Sequence, residues 1–314
     1  MKIIQNFSSK KHIKEFPITD ILVWYIGLLK LRALGNTIKL YCEKKDFEFL
    51  KYWGLFDLYD EIDDSFLSSN ELVNSEIING TNFWSKRKIE CIKNEFDVAN
   101  EPFVYMDTDI ILNVPFKIDS EIDLIAWSPE TQEKIYIPWN HLSIPNGYKM
   151  PKYIYQTEGA YNCGILYFRT KQQFLEYRRQ YLNYTMNNPC ETRGVTAWEE
   201  TIRNIWACNA EQRILKAVAE HNNWNVQLIM DKQAPGACEF GIHYYYMRGF
   251  WRLLPLEDFL KSEEKAYWTE VLNFQLDQLL TILLGADREA FNKFMTIDWI
   301  KDFYENKNLI MEYK

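Results

Sequence analysis

The chain contains a single Asp-x-Asp triplet, Asp107-Thr108-Asp109, set between the apolar runs Phe103 to Met106 and Ile110 to Leu112. If that stretch runs on as a strand, alternate residues share a face and both carboxylates point the same way. Two negative charges held together at the end of a buried strand repel each other. A hard divalent cation relieves the repulsion, because Mg²⁺ and Mn²⁺ favour oxygen ligands and bridge carboxylates to phosphates. The spacing therefore predicts metal and phosphate chemistry. The competing reading is an Asp-rich turn that only bends the chain.

Other residue types could complete such a site. His243 follows Gly241-Ile242, and imidazole suits a third position on Mn²⁺. Satisfied interior histidines are commoner on residue type alone. Arg248 and Arg252 stand four apart and could meet phosphate oxygens, or pair with carboxylates at the surface. Glu158 precedes Asn162, Cys163 and Gly164, which open an apolar strand, and Gly164 would allow close backbone approach to a ligand. Glu211 and Gln212 lie in NAEQRIL, read as a helix start with Asn209 as cap and Glu211 as an acid of the first turn. Lys86, Arg87 and Lys88 form a basic run, read either as solvated charge or as a contact to a donor phosphate.

The elements that must position these residues follow from hydrophobic periodicity. KIIQNF is a short strand. Asp20 is placed as the cap of a helix that reaches Leu34 and stops at Gly35-Asn36. TIKLYC is a strand, Lys45 to Trp53 is helical, LYDEID is a short acidic piece, and FWSKRKIECIKNEF is an amphipathic helix. Then comes PFVYMDTDIIL. Strand, helix, strand, helix, strand implies parallel pairing with helices on the faces. DLIAW and YNCGILYF are further strands, separated by a long loop from Pro129 to Tyr155, rich in Pro, Tyr, Trp and Asn. Helices follow Thr170, NVQLIM is a strand, and GIHYYYMRGFWRLLP has no clear period. The fold class is thus α/β, one domain over 1–255, with a helical C-terminal extension over 256–314. The mixed charges of that extension favour packing on the core or dimerisation over membrane attachment.

Composition bounds the function. Of 314 residues 16% are aromatic, which excludes a disordered chain. Thirty-six Lys and Arg against 44 Asp and Glu give a net charge of -8, too acidic for general nucleic-acid binding. Any phosphate must be met locally, by a metal or a few placed cations. The cysteines Cys42, Cys91, Cys163, Cys190, Cys208 and Cys238 form no CxxC, so free thiols in a reducing compartment are expected. The N-terminal apolar run is too short for a signal peptide, and the stretch from Ile21 to Leu34 carries Lys30 and Arg32. The expected location is cytoplasmic.

Taken in order, these pieces resemble GT-A-fold nucleotide-sugar glycosyltransferases, over about Met1 to Pro255. The nearest patterns are the family 8 glycosyltransferases and a related bacterial family with a KIIQ-like first strand and an FW-x-x-x-K helix before P-F-x-x-x-D-x-D. The D-x-D, N-x-G, D-Q and late H-x-x-G segments of family 8 correspond here to DTD, NCG, EQ and HYYYMRG. The resemblance implies a GT-A-like, Rossmann-type mixed sheet flanked by helices. It implies Mn²⁺ or Mg²⁺ on Asp107, Asp109 and His243. It places Asp107 also near the ribose of the donor, a UDP-sugar, Asn162 and Gly164 at the sugar or acceptor pocket, and Arg248 or Arg252 at the phosphates, with Lys88 as a further candidate for the donor and a carbohydrate or glycoconjugate as acceptor. Glu211 and Gln212 would face the transferred sugar in a retaining reaction. If the reaction inverts, Glu211 or Glu158 would be the base. The departures are Glu211 in place of Asp and the missing Lys-Pro after the histidine.

Two other classes compete. A nucleotidyltransferase also joins an α/β sheet to paired carboxylates, but its glycine-rich N-terminal loop has no counterpart in QNFSSKKH. A non-catalytic binding or scaffold protein on the same fold is the third reading.

Overall fold

The computed structural model describes residues 1–8, 18–70, 85–99, 101–131, 136–142, 144, 147–186, 205–230, 241–243, 288, 292 and 296. The domain boundary at 255, the extension 256–314 apart from three isolated positions, Arg248, Arg252, His12, Cys190 and Cys238 lie outside them.

The N-terminal half is built as its periodicity requires. Strand β1 (Lys2–Asn6) is followed by helix α1 (Ile18–Ala33) and strand β2 (Thr37–Tyr41). Asp20 is not the cap of α1 but lies in its first turn, because the helix starts at Ile18. The helix ends as the sequence indicates: Gly35 takes φ of +76°, and Asn36 N donates to Leu31 O at 3.1 Å. This left-handed turn caps the last carbonyls. Helix α2 (Phe47–Tyr52), strand β3 (Glu61–Asp63) and helix α3 (Phe66–Ser69) come next. Helix α4 (Ser85–Val98) leads into strand β4 (Phe103–Met106). Strand β1 pairs parallel with both β2 and β4, and β2 with β3.

The second half adds strands β5 (Ile110–Leu112), β6 (Leu124–Ala126) and β7 (Pro129–Glu130), then helix α5 (Lys152–Gln156). Strands β8 (Ala160–Tyr161) and β9 (Ile165–Phe168) and helix α6 (Lys171–Thr185) follow. Helix α7 (Ile214–His221) continues without a break from a π-helical turn, Asn209–Arg213. Strands β10 (Val226–Leu228) and β11 (Gly241–His243) complete the described elements. Among the described residues the main sheet has seven strands in the order β10-β6-β9-β4-β1-β2-β3. It is parallel except at β9, which runs antiparallel to β4 and β6. The fold is a mixed α/β sheet, mostly parallel and flanked by helices.

Both faces are covered, as a mostly parallel sheet demands. Ile3, Ile38, Leu40, Val104 and Met106 pack with residues of α1 and β5. Ile4, Tyr41, Tyr105, Leu166 and Phe168 pack with residues of α4, α6 and α7. Adjacent residues of β1 and β4 fall in opposite clusters, which is the two-residue period of a strand. Each fully buried aliphatic side chain contributes about 1.5–3 kcal/mol. Gly27 brings α1 against β5 so closely that a Cβ there would lie 2.8 Å from Ile110 O.

Two sequence expectations change here. The stretch YNCGILYF is two strands: β8 pairs with β7, and the chain enters the main sheet only at Ile165. The run through DTDIIL is also broken. After Met106 the chain leaves the main sheet, turns through Asp107 to Asp109, and pairs β5 antiparallel with β11.

Candidate active site

That turn sits at the carboxyl end of β4, where the parallel half of the sheet meets antiparallel β9. Open α/β sheets bind ligands at the carboxyl ends of their strands, where the strand order reverses. Strand alternation does not bring Asp107 and Asp109 to one face, because neither lies in a strand. What fixes Asp107 is its neighbours. Asp107 N donates to Gly164 O at 2.8 Å, which ties the turn to the β8–β9 connection. The Tyr105 hydroxyl lies 2.9 Å from Asp107 Oδ1 and 2.5 Å from Asn6 Oδ1.

Lys88 stands behind the turn. Its Nζ is 3.1 Å from each Asp107 oxygen, 2.8 Å from Glu211 Oε1, and donates to Cys163 O at 2.9 Å. It also lies 5.0 Å from the centre of the Tyr105 ring. Lys88 and Glu211 are buried, whereas 31% of the Asp107 side chain is exposed. A carboxylate open to solvent is therefore braced by a buried cation, which is braced by a buried carboxylate. Burial lowers the Lys88 pKa, but the charges of Asp107 and Glu211 outweigh it and leave it raised. Lys86 and Arg87 are buried as well, so a solvated basic run is not what forms. Arg87 reaches Glu43 at 3.4 Å.

Glu211 does not open a helix. Cys208 and Ile214, on either side of the π-turn, both have right-handed helical backbone, and Asn209 Nδ2 donates back to Ile205 O at 2.8 Å. Asn209 is thus inside a continuous helix and cannot cap it. Such π-turns recur at functional sites because the extra residue re-aims side chains. Glu211 Oε2 has no hydrogen-bond partner, and Tyr177 holds the backbone, donating to Glu211 O at 2.9 Å. Burial pushes the Glu211 carboxyl up to about 7, against the lowering pull of Lys88 and with a raising contribution from Asp107. A carboxyl poised there changes protonation near neutral pH.

The remaining predicted residues fall at different distances from this cluster. Asn162 is buried and doubly engaged: its amide donates to Glu130 Oε1 at 3.0 Å and its Oδ1 accepts from Gly164 N at 2.9 Å. Gln212 accepts a hydrogen bond from the Tyr136 hydroxyl at its Oε1. Glu158 is exposed in the connection before β8, outside the contacts that join Lys88, Asp107 and Glu211. The His243 backbone pairs with Ile110, the residue after Asp109.

The sequence reading did not single out Glu130, Tyr136 and Tyr105. Glu130 lies in a two-residue strand that nothing in its neighbours announces. Tyr105 was legible as an apolar strand residue but not as the hydroxyl beside Asp107.

Among the described residues no three His, Cys, Asp or Glu side chains form a ready cation cage. Asp107 and Asp109 lie in one turn and the His243 backbone pairs beside it; carboxylate oxygen and imidazole nitrogen are donor types that suit Mn²⁺. Among the described residues no helix is long and apolar enough to cross a membrane.

The fold and site together define a mixed α/β protein with a carboxylate turn at the carboxyl end of a parallel strand. Its family follows from residues 1–248, which match the model of DUF6734, a family of unknown function; the chain belongs to that family. No curated protein matches it. Among solved structures it is similar to the PaToxG glycosyltransferase, with 9% identity, TM-score 0.37, and 95% of this chain and 86% of that one covered. It is similar to apo mouse xyloside xylosyltransferase 1, with 11% identity, TM-score 0.37, and 73% and 85% covered. It is also similar to the galactosyltransferase LgtC in complex with donor and acceptor sugar analogs, with 8% identity, TM-score 0.36, and 68% and 71% covered.

Proposed function

We propose that the chain is a glycosyltransferase. It moves a hexose-type sugar from a UDP-linked donor to a hydroxyl of a carbohydrate or glycoconjugate, with Mn²⁺ or Mg²⁺ as cofactor. The observation that carries this reading is the line Asp107–Lys88–Glu211, an open carboxylate held from behind by a buried ion pair at the end of β4. The sequence resemblance to family 8 supports it independently of the geometry.

Asp107 and Asp109, with His243, would hold the cation. When bound, a divalent cation neutralises the diphosphate of the donor and favours its departure. The chain's own groups do the rest. Lys88 holds both oxygens of Asp107 in place. Tyr105 fixes one Asp107 oxygen. Glu211, buried and with its carboxyl pushed up to about 7, offers its Oε2 as acceptor or, protonated, as donor to a sugar hydroxyl. The reading includes retention of anomeric configuration, in which Glu211 and Gln212 face the sugar and no strong base is required opposite it.

The decisive measurement is metal-dependent turnover of a panel of nucleotide sugars by the wild type and by a folded Asp107→Ala/Asp109→Ala variant. Turnover that vanishes in the variant supports the reading, and unchanged turnover sinks it. Calorimetry with UDP and Mn²⁺ separates the scaffold reading, which expects no metal-dependent nucleotide binding. NMR of the product anomer tests retention.

A further inference from the structure

Residues 136–139 are fastened to the π-turn at successive points. The Tyr136 hydroxyl donates to Gln212 Oε1. Arg213 Nη1 donates to Ile137 O at 2.7 Å, and its guanidinium lies 4.8 Å from the centre of the Trp139 ring. Arg213 Nε and Nη2 donate to Thr157 O at 2.8 and 2.6 Å. The segment following β7, the chain after α5 and the turn that carries Glu211 and Gln212 are therefore joined by direct hydrogen bonds.

Among these the Tyr136–Gln212 bond is unlike the others. The Arg213 hydrogen bonds to Ile137 and Thr157 join a side chain to backbone carbonyls, which is what a loop needs to stay in place. Tyr136 instead meets a side chain, and that side chain belongs to the residue next to Glu211. A Gln amide can present either its carbonyl or its two N–H donors. Tyr136 takes the carbonyl, and Gln212 Nε2 has no hydrogen-bond partner among the described residues. Burial, with the nearby Cys208 and Glu130, raises the Tyr136 pKa, so its hydroxyl stays protonated and stays a donor. In the structure the amide turns its carbonyl to Tyr136, which leaves its N–H donors for a ligand oxygen.

We propose that Tyr136 is a positioning residue for Gln212, fixing the amide so that its N–H groups, not its carbonyl, meet a hydroxyl or other acceptor oxygen of the sugar. This rests on the glycosyltransferase reading.

The test uses Tyr136→Phe, Gln212→Ala and the double variant in the full chain, each checked for an unchanged melting temperature. With a turned-over nucleotide sugar, Y136F is expected to lower kcat about tenfold, the loss of roughly one hydrogen bond. In the Q212A background the same substitution should have no further effect, because residues acting through one another are not additive. A purely structural role would give the same loss in both backgrounds and would overturn the proposal. A second measurement does not need activity. The side-chain amide proton pair that disappears in Q212A should shift in Y136F, and an unmoved pair overturns the positioning role. If the wild type turns over no nucleotide sugar, or the Asp107/Asp109 variant keeps full turnover, the functional reading fails, while the amide resonances still decide whether Tyr136 orients Gln212.

Discussion

Replacing Glu211 by Gln should make the protein more stable at neutral and alkaline pH, although it removes a charge from the centre of the site. Glu211 is fully buried, and its carboxyl is pushed up to about 7, foremost by burial. In the unfolded chain it titrates at an ordinary carboxylate value. A group with a raised folded pKa holds its proton more tightly in the native state, so its contribution to stability is complete below the unfolded pKa. That contribution is lost as pH rises through the folded pKa. The interval from the model value of 4.5 to about 7, at about 1.4 kcal/mol per pH unit, amounts to a loss on the order of 3 kcal/mol. Gln keeps the shape and never ionises. Urea denaturation of wild type and Glu211→Gln, measured from pH 4.5 to 8, isolates this term, because titrations common to both proteins cancel in the difference. The two should be close in stability at pH 4.5, and E211Q should lead by up to about 3 kcal/mol at pH 8. Parallel profiles, or a variant that weakens as pH rises, would refute the account of Glu211 as a carboxyl held against its own ionisation.

Lys88→Met should destabilise the fold by about 3–5 kcal/mol at pH 8, since it leaves Glu211 as an uncompensated buried charge. Adding Glu211→Gln should restore part of that loss, and denaturation showing simple additivity would count against the pair. Gly27→Ala should cost about 1–3 kcal/mol, because the new methyl meets the Ile110 carbonyl at 2.8 Å and must push β5 away. Thermal melts check this, and an unchanged midpoint would show that α1 and β5 yield more freely than their packing indicates.

The sequence was most informative where a segment's fate depends on its own residues. Strands β1, β2 and β4 are apolar, β-branched or aromatic runs, and α1 stops where Gly35 permits a left-handed turn. The alternation of these elements was enough to imply parallel pairing and to place the Asp pair at a strand's end. It was least informative where distant residues decide. Glu61–Asp63 is charged and forms a strand only because β2 offers an edge, with Lys39 2.8 Å from Glu61. Lys88 could be read as solvated or as a phosphate contact, but not as a buried ion pair, because its counter-charges, Asp107 and Glu211, come from far along the chain. NAEQRIL looked like a helix start because Asn is a good cap. The packing of Tyr177, Arg213 and Ile205 around it instead carries the helix through. Asp107 and Asp109 looked like strand neighbours because the apolar residues on both sides continue the pattern. The change of sheet between them leaves no mark in composition.

The π-turn constrains how this protein can change by insertion or deletion. One residue of an α-helix corresponds to about 100° of rotation. Removing a single residue between Asn209 and Arg213 would restore ordinary helical pairing and leave the helix itself intact. It would also swing everything on one side by that angle relative to the other. Glu211 could then no longer meet Lys88 while Arg213 reached Thr157 and Ile137. Substitutions in this segment can be graded, one contact at a time, but its length cannot. Chains that share this site should keep the number of residues here even where they share few of the residues themselves.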